Sequence, residues 1–347
     1  MPDTADPSTI EPGSRTLIAA ATTATTAAED PPPAPPPPTR GDDRFGLHRD
    51  ETVADGLRRA ARGRLAASSA ALAAASDSAG IGEAVHGARK SIKRVRAVLR
   101  LSRDALAAQT YEHENATMRA IAGRLAGARD AQVLIETLQA LEQRCDGELR
   151  PDMTERLRAR LEDDHGRELA AMSDDGDLAV TTRQALEDAR ARTAQWSLQR
   201  DDLEAVEPGL RRVYGRGRKR LRAARDEPTA ENLHAARKRV KDLWHAAELL
   251  REAHPKRMKR LARDAHELSS LLGDHHDLSV LRDYAEANPQ LFSDMPSRQA
   301  LLGAVDRRRD ALRDEALDLG RRLFRRSPKR FTKDVARGWE KHVAASG

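Results

Sequence analysis

From about residue 50 onward, apolar residues recur every three or four positions, which is the spacing of one buried face of an α-helix. Ala, Leu, Arg and Glu dominate these stretches, and alternating strand patterns are scarce. The sequence therefore predicts an all-α protein. Turn-forming residues bound the predicted helices at 51–75, 83–107, 112–126, 129–145, 153–172, 178–198, 201–225, 230–253, 256–272, 276–287, 297–326 and 329–344.

The first part of the chain lacks this periodicity. Residues 1–43 are rich in Ala, Thr and Pro, and proline fills all but one position of 31–38. Such a run favours an extended polyproline II spacer, and a plain tether is preferred over a ligand for an SH3-like partner. The predicted organisation is a disordered tail over 1–47 and one helical domain over 48–345.

One short pattern occurs twice, 148 residues apart. Residues 85–93 read VHGARKSIK and residues 233–241 read LHAARKRVK. A later segment repeats at an offset of 147, where Asp130 and Leu134 correspond to Asp277 and Leu281. The duplication predicts two pseudo-symmetric helical-bundle halves, 48–200 and 201–345, each close to a four-helix bundle.

Each copy places positive charge on one side of a helix. At 100° per residue, a His, the Arg three positions on, the Lys four positions on and the Lys seven positions on share one stripe. The stripes are His86, Arg89, Lys90 and Lys93, extended by Arg100, and His234, Arg237, Lys238 and Lys241, extended by His245. Solvated helices usually alternate acids with such cations, and these stripes almost lack acids. Two ordinary solvated faces remain the alternative to a site for a polyanion.

Phosphate oxygens suit these side chains, because Arg binds them through two parallel hydrogen bonds and Lys adds a point charge. A histidine beside a polyanion is expected to have a raised pKa and to bind better when protonated. Two further basic segments either extend the site or are solvated: Arg218 and Arg222 near Tyr214, and Lys256, Lys259, Arg260 and Arg263. The C-terminal set from Arg321 to Lys333 has no duplicate, so a solvated helix is favoured there.

Two Glu-x-x-His pairs, Glu83 with His86 and Glu231 with His234, form half the ligand set of a di-iron carboxylate protein. The cations one turn from each histidine oppose a divalent metal, and the stripes supply no acceptor for the other ring N–H of a metal-bound histidine. Asp277 is interpreted as a helix-start cap, and His276 is expected to face the basic site. The sequence shows no Ser/His/Asp or Cys/His catalytic arrangement, so it predicts neither an enzyme nor a cofactor or metal.

Composition narrows the ligand and the compartment. The chain has 61 Lys and Arg against 55 Asp and Glu, so the placement of cations matters more than the net charge of +6. Aromatic residues make up 3%, too few for a platform that stacks single-stranded bases, so no specific nucleic acid is expected. The lone Cys145, the acidic N-terminus and the lack of a long apolar run predict a cytoplasmic protein without membrane contact.

Taken together, these motifs resemble the CHAD family, the conserved histidine α-helical domain, from about residue 48 to 345. Matching segments are Val85-His86-x-x-Arg89-Lys90-x-Ile92-Lys93-Arg94-Val95-Arg96, Leu233-His234-x-x-Arg237-Lys238-x-Val240-Lys241, Leu125-x-Gly127-x-Arg129-Asp130 and Leu271-Leu272-Gly273-x-x-His276-Asp277. The resemblance implies two four-helix subdomains with a basic central surface, binding of inorganic polyphosphate and association with polyphosphate granules.

By position, the resemblance implies ligand residues His86, Arg89, Lys90, Lys93 and Arg96 in the first half and His234, Arg237, Lys238 and Lys241 in the second. Asp242 and Trp244 stand where the first copy has Arg94 and Arg96. Relatives are often fused to a triphosphate-cleaving domain of the CYTH type, for which residues 1–47 offer no room. The hydrolase activity is therefore not transferred.

The predicted function is non-enzymatic binding of polyphosphate in the bacterial cytoplasm, on polyphosphate granules. The binding residues are expected to be those of the two stripes with Arg96 and Arg100, together with Arg218, Arg222, Lys259, Arg263 and His276. A nucleic-acid-binding helical protein is the main alternative, and a di-metal enzyme of the helical-bundle type is the less favoured one.

Overall fold

A computed structural model describes residues 45–48, 50–75, 77–125, 130–145, 147–149, 151–174 and 176–344. Apart from one isolated bridge, Leu106 to Leu198, these residues form helices and loops only, so the all-α prediction is confirmed. The helices are α1 Val53–Ala74, α2 Ser78–Ser102, α3 Ala108–Arg124, α4 Asp130–Arg144, α5 Pro151–Asp174, α6 Gly176–Thr193, α7 Glu207–Asp226, α8 Ala230–Leu249, α9 Pro255–Ala287, α10 Met295–Leu323 and α11 Pro328–Ala344.

Most of the predicted tail lies outside the described residues, but its last three residues pack on the helical domain. Leu47 is 1% exposed, and its backbone N–H donates to the carbonyl of Leu249 at 2.8 Å. The guanidinium of Arg94 lies over the ring of Phe45, 5.4 Å from its centroid. The ordered domain therefore begins before residue 48.

The predicted break between 272 and 276 is wrong, because α9 runs without interruption from Pro255 to Ala287. Gly273 lies in that predicted break, and a glycine inside a helix costs about 1 kcal/mol relative to alanine. Packing outweighs that cost, since Leu272 and Leu278 on either side of it are buried against α8 and α10. Asp277 consequently lies in the middle of a helix, and its interpretation as a helix-start cap is also wrong.

Two hydrophobic cores hold the helices together, and both contain residues from before and after position 200. The larger core joins α1, α2, α3, α6, α7 and α8 to the first half of α9, the end of α10 and α11. The smaller core joins α4 and α5 to the second half of α9 and the first half of α10. The cores therefore do not follow the midpoint of the sequence, and the pseudo-symmetry of two halves stays a prediction.

The histidine helices α2 and α8 contact each other through two ion pairs. Arg94 Nε lies 3.6 Å from Glu248 Oε2, and Arg100 Nη1 lies 3.0 Å from Asp242 Oδ1. From the first pair to the second, the residue number rises along α2 and falls along α8, so the two helices are antiparallel at this contact. At the offset of 148 residues, Arg94 corresponds to Asp242 and Arg100 to Glu248. The two ion pairs therefore join equivalent positions with the two helices exchanged, as expected for duplicated helices.

Candidate functional site

Helix α8 presents one apolar face and one basic face. The helix begins after Thr229, whose side chain accepts a hydrogen bond from the backbone N–H of Asn232 at 3.2 Å. The apolar face is buried in the larger core through Leu233, Ala236, Val240 and Leu243. Burial of this face fixes the rotation of the helix, so the side of His234 and Arg237 turns toward α9.

The imidazole of His234 meets the imidazole of His276 on α9. The ring centroids are 4.3 Å apart and the planes are tilted by 40°. We call His234, Arg237, Lys238, Lys241 and His276 the α8/α9 cleft. Continuity of α9 through Gly273 is what brings His276 to this position.

His234 is uncharged near neutral pH, because its pKa is well below the usual value for a histidine. Burial, and then the nearby charges of His276, Lys238, Arg237 and Lys241, lower the pKa of His234 to about 4. Within the described structure, Nδ1 of His234 is buried and has no hydrogen-bond partner. A ligand that brings negative charge can therefore supply both an acceptor and a reason to protonate this ring.

Arg237 lies flat against α9 because position 273 has no side chain. A Cβ at Gly273 would stand 2.9 Å from Nη2 and 3.2 Å from Cζ of Arg237. Asp277 lies 3.8 Å from Nη1, a loose ion pair. In the first copy, the equivalent Arg89 donates to the carbonyl of Leu125 at 2.8 Å, and at the offset of 147 position 125 corresponds to Leu272, the neighbour of Gly273. The two arginines thus reach neighbouring positions of the duplicated segment.

Below the cleft, α4, α8, α9 and α10 enclose a cavity of about 440 Å³, the Arg237 cavity. Its cationic walls are Arg144, Arg237, Lys241 and Arg308. Three carboxylates, Glu136, Asp274 and Asp277, also line it. Burial and the adjacent Asp277 raise the pKa of Asp274.

Two predicted residues, Lys259 and Arg263, line a neighbouring cavity of about 590 Å³, the Lys259 cavity. Arg94 of α2 forms part of the opposite wall. Trp244 and His266 line both this cavity and the Arg237 cavity, and their rings contact each other edge to face at 4.4 Å. The structure therefore places Lys259 and Arg263 next to the Arg237 cavity.

The arginines of the first stripe are engaged by protein groups. Besides the bond from Arg89 to Leu125, Arg96 Nε donates to Asn115 Oδ1 at 3.3 Å, and Arg100 pairs with Asp242. Burial, and then the charge of Arg100, lower the pKa of Arg96 to about 10. Lys90 is exposed, whereas His86 and Lys93 are half-buried. Residues 127–129, the counterpart in the first copy of the segment before Asp277, lie outside the described residues.

The two histidines do not share a cleft. The ion pairs place the contact between α2 and α8 in the C-terminal half of each helix, and His86 and His234 each precede its centre by about three turns, roughly 16 Å. Because the helices run in opposite senses there, these displacements point apart. His245, expected to extend the second stripe, is buried at this contact with Nδ1 3.2 Å from Glu248 Oε2.

The remaining predicted cations lie elsewhere. Arg218 and Arg222 of α7 line a cavity of about 210 Å³, the Arg222 cavity, with Arg321 of α10 and Arg325, which follows that helix. Tyr214 is a core residue, stacked on Phe331 at 4.1 Å. The C-terminal arginines were expected to be solvated; Arg321, Arg322 and Arg325 are exposed, and with Arg326 they line cavities shared with α7 or α9. These walls form because the end of α10 packs against α7 and α9, a contact that the spacing of residues within α10 does not predict.

No group of three or more His, Cys, Asp or Glu side chains that could hold a metal ion occurs among the described residues. Across the same residues, no helix is long and apolar enough to cross a bilayer.

The comparisons with known proteins agree with this helical fold. Over 80% of this chain and 100% of its own, PptA from Streptomyces chartreusis matches with a TM-score of 0.56 and 18% identity. The CHAD domain from the plant Ricinus communis matches over 81% of this chain and 96% of its own, with a TM-score of 0.56 and 19% identity. A search of curated proteins found no match. The family model of the CHAD domain matches residues 59–286, and the chain belongs to the CHAD family.

Proposed function

We propose that this protein binds inorganic polyphosphate in the α8/α9 cleft, without catalysing a reaction, and is thereby held on polyphosphate granules in the cytoplasm. CHAD is a polyphosphate-related family. The observation that carries the proposal is the meeting of His234 and His276 beside three cationic side chains. A neutral His234 among fixed cations is a site that a bound anion stabilises by offsetting their charge.

Polyphosphate fits the chemistry of the cleft better than a nucleic acid does. Its repeating unit is a phosphate without a base or a sugar, so the cleft needs only cations and hydrogen-bond donors. Arg237 and Lys241 supply these at the mouth of the Arg237 cavity, while Lys238 is exposed beside them. Trp244 is the one indole at the cavity wall, and a sequence of bases would need several such faces.

Binding should weaken steeply as salt increases, because each phosphate that is neutralised releases a counterion. For a single-stranded polyanion, log K is expected to fall by about 0.7 per neutralised phosphate for each decade of salt. Titration of the protein with long-chain polyphosphate at several salt concentrations measures this slope. A flat slope, or displacement of polyphosphate by equimolar RNA, would contradict the proposal, and released orthophosphate would show that the protein is an enzyme.

Binding should also take up protons. The pKa of His234 is about 4 in the free protein, and a bound polyanion raises it, so affinity should increase as the pH falls from about 7 toward 4. Calorimetry at about pH 5.5 in two buffers of different ionisation enthalpy measures the uptake. The variant His234→Gln should lose most of it, whereas His113→Gln, exposed on α3, should keep it. Equal uptake by both variants would exclude His234 as the group that titrates.

A further inference from the structure

The cavities along α9 are joined through shared wall residues. Trp244 and His266 belong to both the Arg237 cavity and the Lys259 cavity. Lys256 and Arg260 belong to both the Lys259 cavity and a third one of about 350 Å³, the Arg322 cavity. Arg325 belongs to both the Arg322 cavity and the Arg222 cavity. The four cavities are therefore adjacent to one another in series.

Helix α9 sets the length of this series. Asp277 lines its first cavity and Lys256 its third, and the helix between them extends about 30 Å at 1.5 Å per residue. Beyond Lys256 the series continues to α10 and α7. A tripolyphosphate is too short to span this distance, whereas a long linear chain can follow it.

Cations without a carboxylate partner recur along the series. Six side chains at the far end of the series, all within the described residues 207–344, make no ion pair with a described carboxylate: Arg218, Arg222, Lys256, Arg260, Arg322 and Arg325. The carboxylates on these walls already have cationic partners, since Asp264 pairs with Arg263 at 2.8 Å and Glu248 with Arg94 at 3.6 Å. The unbalanced charge of the walls is positive.

We propose that the four cavities are one track for a single linear polyphosphate chain, which is anchored in the α8/α9 cleft and continues along α9 to α10 and α7. The ligand class rests on the proposed function; the track adds that chain length determines affinity. Once a chain is anchored, each further contact is intramolecular, so the local concentration of phosphate at the next cavity is high. A short chain gains nothing from the distant cavities.

The test compares two chain lengths on one variant. Arg260→Gln with Arg325→Gln removes two exposed cations from the far cavities. Because two fewer phosphates are neutralised, the salt slope for long-chain polyphosphate should become shallower by about 1.4, with at least a tenfold loss of affinity near physiological salt. Tripolyphosphate should bind with unchanged slope and affinity within twofold. The second variant, Lys256→Gln with Arg322→Gln, should give the same pattern. Agreement between the two variants shows that the loss does not come from a folding defect in one of them.

A matched control removes the same charge elsewhere. Arg156→Gln with Arg183→Gln changes two exposed arginines of α5 and α6 that line none of the four cavities. This variant should keep the wild-type slope with both ligands. Equal losses in the control and in the track variant, or a track variant unchanged with long chains, would overturn the track while leaving binding in the cleft intact. If the wild-type protein bound neither ligand, the proposed function would fail and the track with it.

Discussion

Reversing the charge of Lys238 and Lys241 is expected to abolish retention of the protein on a polyphosphate matrix. Lys238 is exposed beside His234, and Lys241 forms a wall of the Arg237 cavity. The change Lys238→Glu with Lys241→Glu turns two attractive charges of the cleft into repulsive ones. Binding should fall by 100-fold or more, about 2.7 kcal/mol, because charge-assisted contacts to phosphate contribute about 1.5 kcal/mol each.

The internal duplication supplies a matched control for this change. Lys90 and Lys93 stand at the equivalent positions of α2, so Lys90→Glu with Lys93→Glu alters the net charge by the same amount. Lys93 lines none of the four cavities, and the neighbouring Arg89 and Arg96 are bonded to Leu125 and Asn115. The α2 variant should lose less than tenfold in affinity. Circular dichroism should show unchanged helicity in both proteins.

Equal loss of binding in both variants would mean that the two stripes contribute alike, and that the cleft between α8 and α9 is not the main site. Loss in the α2 variant alone would place the site on the first copy. The comparison therefore separates the two histidine helices, which a simultaneous change at Lys90 and Lys238 cannot do.

Periodicity predicted the helices and the apolar faces well, because both depend on residues close in sequence. The buried face of α8 and the basic side opposite to it follow from the 100° turn alone. The expectation that His276 would face the basic side also agrees with its contact to His234. These successes concern one helix, or two helices whose motifs the sequence already related.

The spacing of residues in the sequence does not predict contacts between helices that are far apart in the chain. The stripes almost lack acids, yet Asp242 and Glu248 of α8 reach Arg100 and Arg94 of α2 across the contact between the helices. The antiparallel contact then separates His86 from His234, which the spacing of residues within each helix does not predict. Gly273 is a similar case: it lies in the predicted break between two helices, whereas in the structure it makes room for Arg237.

A second large effect is expected in stability, at the contact between α2 and the start of α7. Gly209 is buried there, and a Cβ on it would stand 2.6 Å from Cα and 2.7 Å from the carbonyl carbon of Leu101. Backbone atoms inside a packed helix cannot move aside as the end of a long side chain can. Gly209→Ala should therefore lower the free energy of unfolding by about 3 kcal/mol, the upper part of the range for an overpacked site.

The sign of this effect is what makes the measurement informative. In an unobstructed helix, replacing glycine by alanine stabilises by about 1 kcal/mol, and Gly166 of α5 is such a position, since nothing lies within 4 Å of its would-be Cβ. Chemical denaturation of Gly209→Ala and Gly166→Ala should thus give shifts of opposite direction. If Gly209→Ala were as stable as Gly166→Ala, α7 would have to lie farther from α2 than the structure shows. The ion pair between Arg212 of α7 and Asp104, 2.8 Å long and anchored at the same contact, would then have to break as well.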